Sequence, residues 1–383
     1  MSEVLDHILV TAGTGAPQYQ VVHINSEFAD QVSDHDPQVV RLPFGKGKPE
    51  SRLIPPRATA LGYSDSLNKL VHNGVALGGL SSLAFDKRSN SWISAVDNHA
   101  SDPARIWFLR DLADPTVVRD PLVLKRADGT PYDGTTSDDE GLAVLPNGDY
   151  VVSSETEPSI RIFGRDGIQK SSLRVPARFT VTCTTPDGQA TGNATLEGLT
   201  ISPSGHTIVA AMEGALSGDV SASGDATAHR FLVYTQDRHG AWSLEKQVEY
   251  RTGAGMRIPE VAAYSDDALL VEEASFSPTT GNAVDLYAVS GLKDATDVSG
   301  VPNLSAAPAG DALDKKLVAD LVKGPTLGAT PLEPQANPLL DNFEGMAITT
   351  HGSQHVLGVS LISDDNFSTA QRTRVLNLQV KVQ

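Results

Sequence analysis

The 383-residue sequence predicts an all-β fold, and three observations carry that prediction. From about residue 58 onward no helical periodicity is sustained. Short β-branched and apolar runs alternate with Asn-Gly, Asp-Gly and Ser-Gly turns, the pattern of successive hairpins. One block also recurs: it opens on Glu-Gly, forms a strand, turns, and ends a second strand on an acidic residue.

Taken in order, residues 4–11 (VLDHILVT) and 19–24 (YQVVHI) read as strands, and QVVRL after Pro37 as another. Between them lies Ser33-Asp34-His35-Asp36-Pro37. Residues 45–57 (GKGKPESRLIPPR) have the Gly/Lys/Pro composition of a linker. The repeat follows. Three clear copies begin at Glu140, Glu197 and Glu344: EGLAVLPNGDYVVSSE, EGLTISPSGHTIVAAME and EGMAITTHGSQHVLGVSLISDD. Two divergent copies run from Ser81 to Asp97 and from Glu260 to Glu272-Glu273. Third strands follow as ARIWFL, SIRIFG, HRFLVY, VDLYAV and TRVLNL.

Start-to-start spacings are 140−81 = 59, 197−140 = 57, 260−197 = 63 and 344−260 = 84. Antiparallel units of this size are propeller blades with long loops. The sequence therefore predicts a β-propeller over residues 58–383 with a short N-terminal extension. Five blades are visible, and a sixth is expected either from residues 58–76 pairing with the C-terminal strand or from 290–330.

With 47 acidic against 30 basic residues the net charge is −17, which argues against nucleic-acid binding by the propeller. No apolar run approaches the ~20 residues that span a bilayer. Cys183, the single cysteine, excludes an intramolecular disulfide and reads as a small strand residue. The first 15 residues lack the basic and apolar regions of a signal peptide, and the chain reads as starting in the middle of a domain.

In a propeller the first strand of each blade lines the central channel, so a residue repeated at its head converges on the axis. Glu140, Glu197, Glu260 and Glu344 form such a ring, with Ser81 in the fifth place. Asp97, Glu155, Glu213, Glu272 and Asp364 end the second strands. Carboxylates crowded together repel unless protonated or neutralised by a cation, and Ca²⁺ accepts six to eight oxygens. The predicted metal ligands are Glu140, Glu197, Glu260, Glu344, Asp365 and Asn366. Glu197, Glu344 and Asp364 are the candidate catalytic groups. Arg105, Arg230 and Arg372 are candidate clamps for an anionic ester substrate. The plainer alternative is that Glu-Gly is a packing device, its glutamate accepting backbone N–H groups of the next blade. Arginine–carboxylate pairing between blades is the corresponding alternative for the arginines.

The series GGLSSLAFD (78–86), DDEGLAVLPNGDYVVSSE (138–155), EGLTISPSGHTIVAAME (197–213), NFEGMAI (342–348) and ISDDNFSTAQRT (362–373) resembles the phytase-like propeller family, "esterase-like activity of phytase". The resemblance covers residues from about 76 to 380. It implies a bacterial, extracellular or periplasmic hydrolase of phosphoric or related esters, expected as a monomer with a small anionic substrate. Two alternatives stay open: a non-catalytic binding propeller, and a lactonase-type sugar-ester hydrolase. Separately, residues 1–44 resemble the C-terminal end of an endonuclease/exonuclease/phosphatase domain. That resemblance implies that His35 contacts a phosphate and Asp34 orients it. The remainder of that constellation has no counterpart here, so no chemistry is expected of His35. Arg238-His239-Gly240, a fragment of the histidine acid phosphatase signature, sits between two strands and is expected to be a turn.

Overall fold

The computed structural model describes residues 18–21, 35, 38–41, 51–97, 101–182 and 187–383. The chain divides into two compact units, 1–51 and 52–383. In the first, Gln18–Val21 pairs antiparallel with Gln38–Arg41, and His35 is exposed in a bend. Asp34, the strand expected at 4–11 and Cys183 lie outside the described residues.

The second unit is a propeller of five blades among the described residues, not six. Blade 1 holds Ala84–Asp86, Ser91–Ala95 and Arg105–Arg110, with an outer edge split into Thr116–Val117 and Leu122–Val123. Blade 2 is Asp139–Val144, Tyr150–Ser154, Ser159–Phe163 and Gln169–Leu173. Blade 3 is Leu196–Ile201, Thr207–Met212, Ala228–Gln236 and Trp242–Arg251. Blade 4 is Val261–Ser265, Ala268–Ser277, Gly281–Ser290 and Lys315–Asp320. Blade 5 joins the two ends of the unit. Phe343–His351, Val356–Ser363 and Val375–Lys381 are followed in space by Ala58–Ser64 and then Leu53–Ile54.

Both sources of the expected sixth blade are thereby accounted for. Residues 58–64 do pair with the C-terminal strand, Leu376 opposite Tyr63, but as the fourth strand of blade 5. Residues 315–320 supply the fourth strand of blade 4. Part of the expected linker, Leu53–Ile54, is likewise strand. The physical reason is ring closure: an edge strand left at either terminus would expose unpaired backbone, and knitting the two ends together removes both edges. Arg374 fixes the seam through Asp65, with Nε–Oδ1 at 2.7 Å and Nη2–Oδ2 at 2.9 Å.

Burial follows the same five-fold order. One apolar cluster fills each gap between neighbouring blades, for example Leu142 with Ile106 and Phe108 between blades 1 and 2. Leu361 and Leu376 pack with Leu270 and Leu286 between blades 4 and 5. The inner strands touch in sequence around the axis. At one end the channel is lined by apolar side chains, among them Leu142, Leu199, Val261 and Met346. The polar chemistry is collected at the other.

Candidate active site

The Glu-Gly motif is a β-bulge with a glycine that the neighbouring blade requires. Pairing of the first two strands slips by one residue between Asp139 and Leu142, between Leu196 and Leu199, and between Phe343 and Gly345. An extra residue in one strand re-aims the side chain beside it. Each glycine sits where the next inner strand crosses. A Cβ on Gly198 would lie 2.9 Å from Val261 N, and one on Gly345 would lie 2.6 Å from the Ser82 carbonyl carbon. At Gly141 it would collide with Glu197 O and Leu199 Cβ. The glycine is therefore packing grammar, while the glutamate beside it is free to point elsewhere.

In blades 2, 3 and 5 it points into a cavity of about 420 Å³. Eight carboxyl groups line this cavity: Asp97, Asp138, Glu140, Glu155, Glu197, Glu213, Glu344 and Asp364. Oxygens of Asp97, Asp138 and Glu140 lie within 4.8 Å of one another, and so do those of Glu155, Glu197 and Glu213. Burial, followed by mutual repulsion, pushes Glu140, Glu197 and Asp364 well above the usual carboxylate range. Burial and then Glu213 push Glu155 up to about 8. Asp97 is pushed up to about 10 by burial, a hydrogen bond with Asp138 and the charge of Asp364.

One guanidinium answers them. Arg257 places Nη1 3.0 Å from Glu213 Oε1 and 3.7 Å from Glu197 Oε1. Its Nη2 lies 3.0 Å from Glu344 Oε1 and donates to Asn342 Oδ1 at 2.8 Å. Burial disfavours its charge, yet Glu344, Glu213 and Glu197 together raise its pKa further.

Of the predicted residues, the structure gathers Glu140, Glu197, Glu344, Asp364 and Asn366 around the cavity. The others are engaged elsewhere. Glu260 is the plainer alternative realised: buried, it accepts the backbone N–H of Leu199 and of Val261, each at 2.9 Å. In blade 4 the bulge falls upstream, between the Arg257–Ala274 bridge and Val261, so Glu260 is not the residue aimed at the axis. Glu272 is fully buried without lining the cavity. Asp365 is held by Lys69 and accepts Gly79 N–H at 3.0 Å, which ties the C-terminal loop to blade 1.

The three arginines expected as clamps do not line the cavity. Arg105 donates to Pro103 O and faces Asp102 at 3.8 Å. Arg230 is fully buried in a two-point pair with Asp219, Nε–Oδ2 2.6 Å and Nη2–Oδ1 2.8 Å, and binds the carbonyls of Val298 and Val301. Arg372 faces Asp65 at 3.8 Å. Arg238-His239-Gly240 lies in a hairpin turn, as expected.

Arg257 and Asp138 were not foreseen. Asp138 carries a signal, since it opens the acidic run DDEG. Arg257 carries none, because no other copy of the block has a basic residue near this place.

The family described as "Phytase-like: Esterase-like activity of phytase" matches residues 75–367. The chain belongs to this family. No curated protein matches the chain. Solved structures similar to it include a protein of unknown function from Dyadobacter fermentans, at 9% identity, 85% of this chain, 100% of that one and a TM-score of 0.43. A gluconolactonase from Xanthomonas campestris is similar at 14% identity, 86% of this chain, 96% of that one and TM-score 0.39. A PQQ-bound aldose sugar dehydrogenase from Streptomyces coelicolor is similar at 11% identity, 86% and 100% coverage and TM-score 0.37.

The donor set of this phytase-like propeller fits a hard divalent cation. It offers clustered carboxylate oxygens and no nitrogen or sulfur ligand among the described residues. Of the Asp138 carboxyl, Oδ1 is buried with no hydrogen-bond partner among the described residues, an acceptor that a cation would satisfy.

Proposed function

We propose that this chain hydrolyses phosphoric or related esters in the acidic cavity, with Ca²⁺ held by Asp97, Asp138 and Glu140 and by Glu155, Glu197 and Glu213. The observation that carries the reading is Arg257, one guanidinium set among eight carboxyls in a single cavity. When bound, the cation supplies Lewis-acid neutralisation of the ester's oxygens. The chain's residues do the rest. Arg257 binds an anionic oxygen and fixes its orientation. Glu344, which accepts from Arg257 and from Asn342 Nδ2 at 3.0 Å each, takes a proton from the attacking water. Asp364 is buried, hydrogen-bonded with Glu344 and held in the protonated form, so it delivers a proton to the leaving oxygen. The water oxygen bonds to phosphorus or acyl carbon, the ester bond to the leaving oxygen breaks, and the two proton transfers balance.

The test is hydrolysis of p-nitrophenyl phosphate by metal-depleted protein with and without added Ca²⁺, repeated on Glu344→Gln and Glu197→Gln. Activity is expected only with the cation and is expected to fall at least 100-fold in either variant. Turnover that persists in metal-free protein, or in both correctly folded variants, refutes the mechanism. A sugar-lactone substrate run in parallel separates phosphoryl from acyl chemistry. Inertness toward both leaves the binding propeller as the reading. An exported protein would meet calcium concentrations that fill even weak carboxylate sites. For residues 1–44 we propose a remnant of a phosphodiesterase-type domain, supported by the sequence Ser33-Asp34-His35-Asp36-Pro37, which falls in the chain between the paired strands Gln18–Val21 and Gln38–Arg41.

A further inference from the structure

We propose that the cavity is shaped for a hydroxyl-rich ring carrying a single ester group, a sugar or cyclitol monoester, and rejects a polyphosphorylated ring. The inference rests on the reading of this cavity as the substrate site and deepens it.

The first argument is the rim. The second and third strands of blade 4 are ten residues each and run on past Glu272 to a tip at 277–281. Phe276, near that tip, lines the cavity although 53% of it is exposed to solvent. An aromatic face left open at the mouth of a polar cavity is a platform for the C–H face of a sugar ring. Asn282, on the other arm of the hairpin, is 4% exposed, lines the same cavity, and has its Nδ2 without a hydrogen-bond partner among the described residues. A buried amide donor costs free energy until something accepts from it, and a ring hydroxyl or ester oxygen is such an acceptor. Asn193, Asn366 and Gln371 add three more carboxamides to the lining. Carboxamides donate and accept at once, as hydroxyl groups do.

The second argument is charge. Arg257 is the sole basic side chain lining the cavity among the described residues, against eight carboxyls. A ring with six phosphates, each carrying about −1.5 at neutral pH, calls for several cationic side chains, and the lining supplies one guanidinium. One ester group answered by one guanidinium, with hydroxyls on the carboxamides, matches the lining.

The experiment compares Ca²⁺-loaded wild type with Phe276→Ala and Asn282→Ala on glucose 6-phosphate, glycerol 3-phosphate and inositol hexakisphosphate. Expected results are at least tenfold higher kcat/KM for the sugar ester than for glycerol 3-phosphate, and no turnover of the hexakisphosphate. In Phe276→Ala the sugar ester should lose about tenfold through KM while glycerol 3-phosphate is unchanged. Phe276 is exposed, so that variant is expected to fold even if Asn282→Ala does not. A preference for the hexakisphosphate, or equal loss on both small esters, overturns the proposal. If no ester turns over, the hydrolytic reading fails, and saturation-transfer NMR with glucose decides the inference. A glucose signal lost in Phe276→Ala sustains it, and absence of signal in wild type overturns it.

Discussion

Replacing Arg257 by methionine removes the positive charge of the cavity while keeping the bulk of the stem. The guanidinium lies 3.0 Å from both Glu213 and Glu344 and 3.7 Å from Glu197. At an effective dielectric constant of about 20, each 3.0 Å contact is a gross attraction of about 5–6 kcal/mol. That figure is not the cost of losing it, because a stranded carboxylate can take a proton instead. Protonating a glutamate of ordinary pKa at pH 7 costs about 3.4 kcal/mol, some 2.5 pH units at 1.36 kcal/mol each. The expected destabilisation of metal-depleted protein at pH 7 is therefore about 3–5 kcal/mol, in the range found for breaking buried ion pairs. It should appear as a fall in Tm of roughly 6–10 °C. The sign with pH follows from the same reasoning. Without Arg257, which lowers the pKa values of Glu197 and Glu213 against their burial, those values rise further, so the deficit grows toward pH 8 and shrinks to about 1 kcal/mol by pH 5. Calcium should rescue the variant more than it stabilises wild type, since Glu197 and Glu213 no longer share their oxygens with a guanidinium. Thermal melts at pH 5, 7 and 8, each with metal-depleted protein and with millimolar Ca²⁺, read all of this. Equal deficits at pH 5 and pH 8, or a calcium shift smaller than that of wild type, would refute the role assigned to Arg257.

Three further outcomes are expected. Metal-depleted wild type should lose stability as pH rises, because the folded-state values of about 8 for Glu155 and about 10 for Asp97 exceed their ordinary values. The folded protein then binds more protons than the unfolded chain, and that contribution is complete below about pH 4 and lost through pH 8 to 10. A flat Tm between pH 6 and 9 contradicts it. Gly198→Ala should cost about 2–3 kcal/mol by overpacking, since its Cβ would meet the backbone of blade 4 at 2.9–3.1 Å, and a chemical denaturation midpoint equal to wild type excludes this. Arg230→Met, which strands the buried Asp219, should cost about 3–5 kcal/mol yet leave kcat and KM of the folded fraction unchanged. Altered kinetics there would return Arg230 to the site.

The family and the place of the candidate cavity were legible because Glu-Gly is a local device. A bulge needs one extra residue, a crossing strand needs a missing Cβ, and both leave marks in consecutive residues at positions 140–141, 197–198 and 344–345. Blade number was not legible in the same way. The interval of 84 residues before Glu344 looked like room for another blade. It is instead filled by the connection 291–314, one outer strand and the loop 321–342. The pairing of residues 58–64 with the C-terminal strand is expected from the sequence, but a contact between positions more than 300 apart, Tyr63 to Leu376, carries no local mark of which blade it completes. The arginines misled for a related reason. Arg105, Arg161 and Arg230 recur at the heads of third strands, but a recurring place is not an axial place: third strands do not line the channel, and their guanidinium groups pair locally.

The departure in blade 4 is the more instructive one. Had the bulge fallen at Glu260, the channel would have gained another axial carboxylate and no counter-charge. With the slip moved upstream, Glu260 spends its oxygens on the backbone of Leu199 and Val261, and Arg257 takes up contact with Glu197, Glu213 and Glu344. That exchange divides the acidic lining in two. Among the described residues no guanidinium or ammonium pairs with Asp97, Asp138 or Glu140, whereas Glu197 and Glu213 share Arg257 with Glu344. A symmetric ring of carboxylates binds ions but cannot orient an anionic ester. Under the proposed function, a ring broken at one blade by a guanidinium would present opposite charges to the two ends of a bound ester. The divergent copy of the repeat, which looked like decay of the pattern, is thus what gives the cavity a direction.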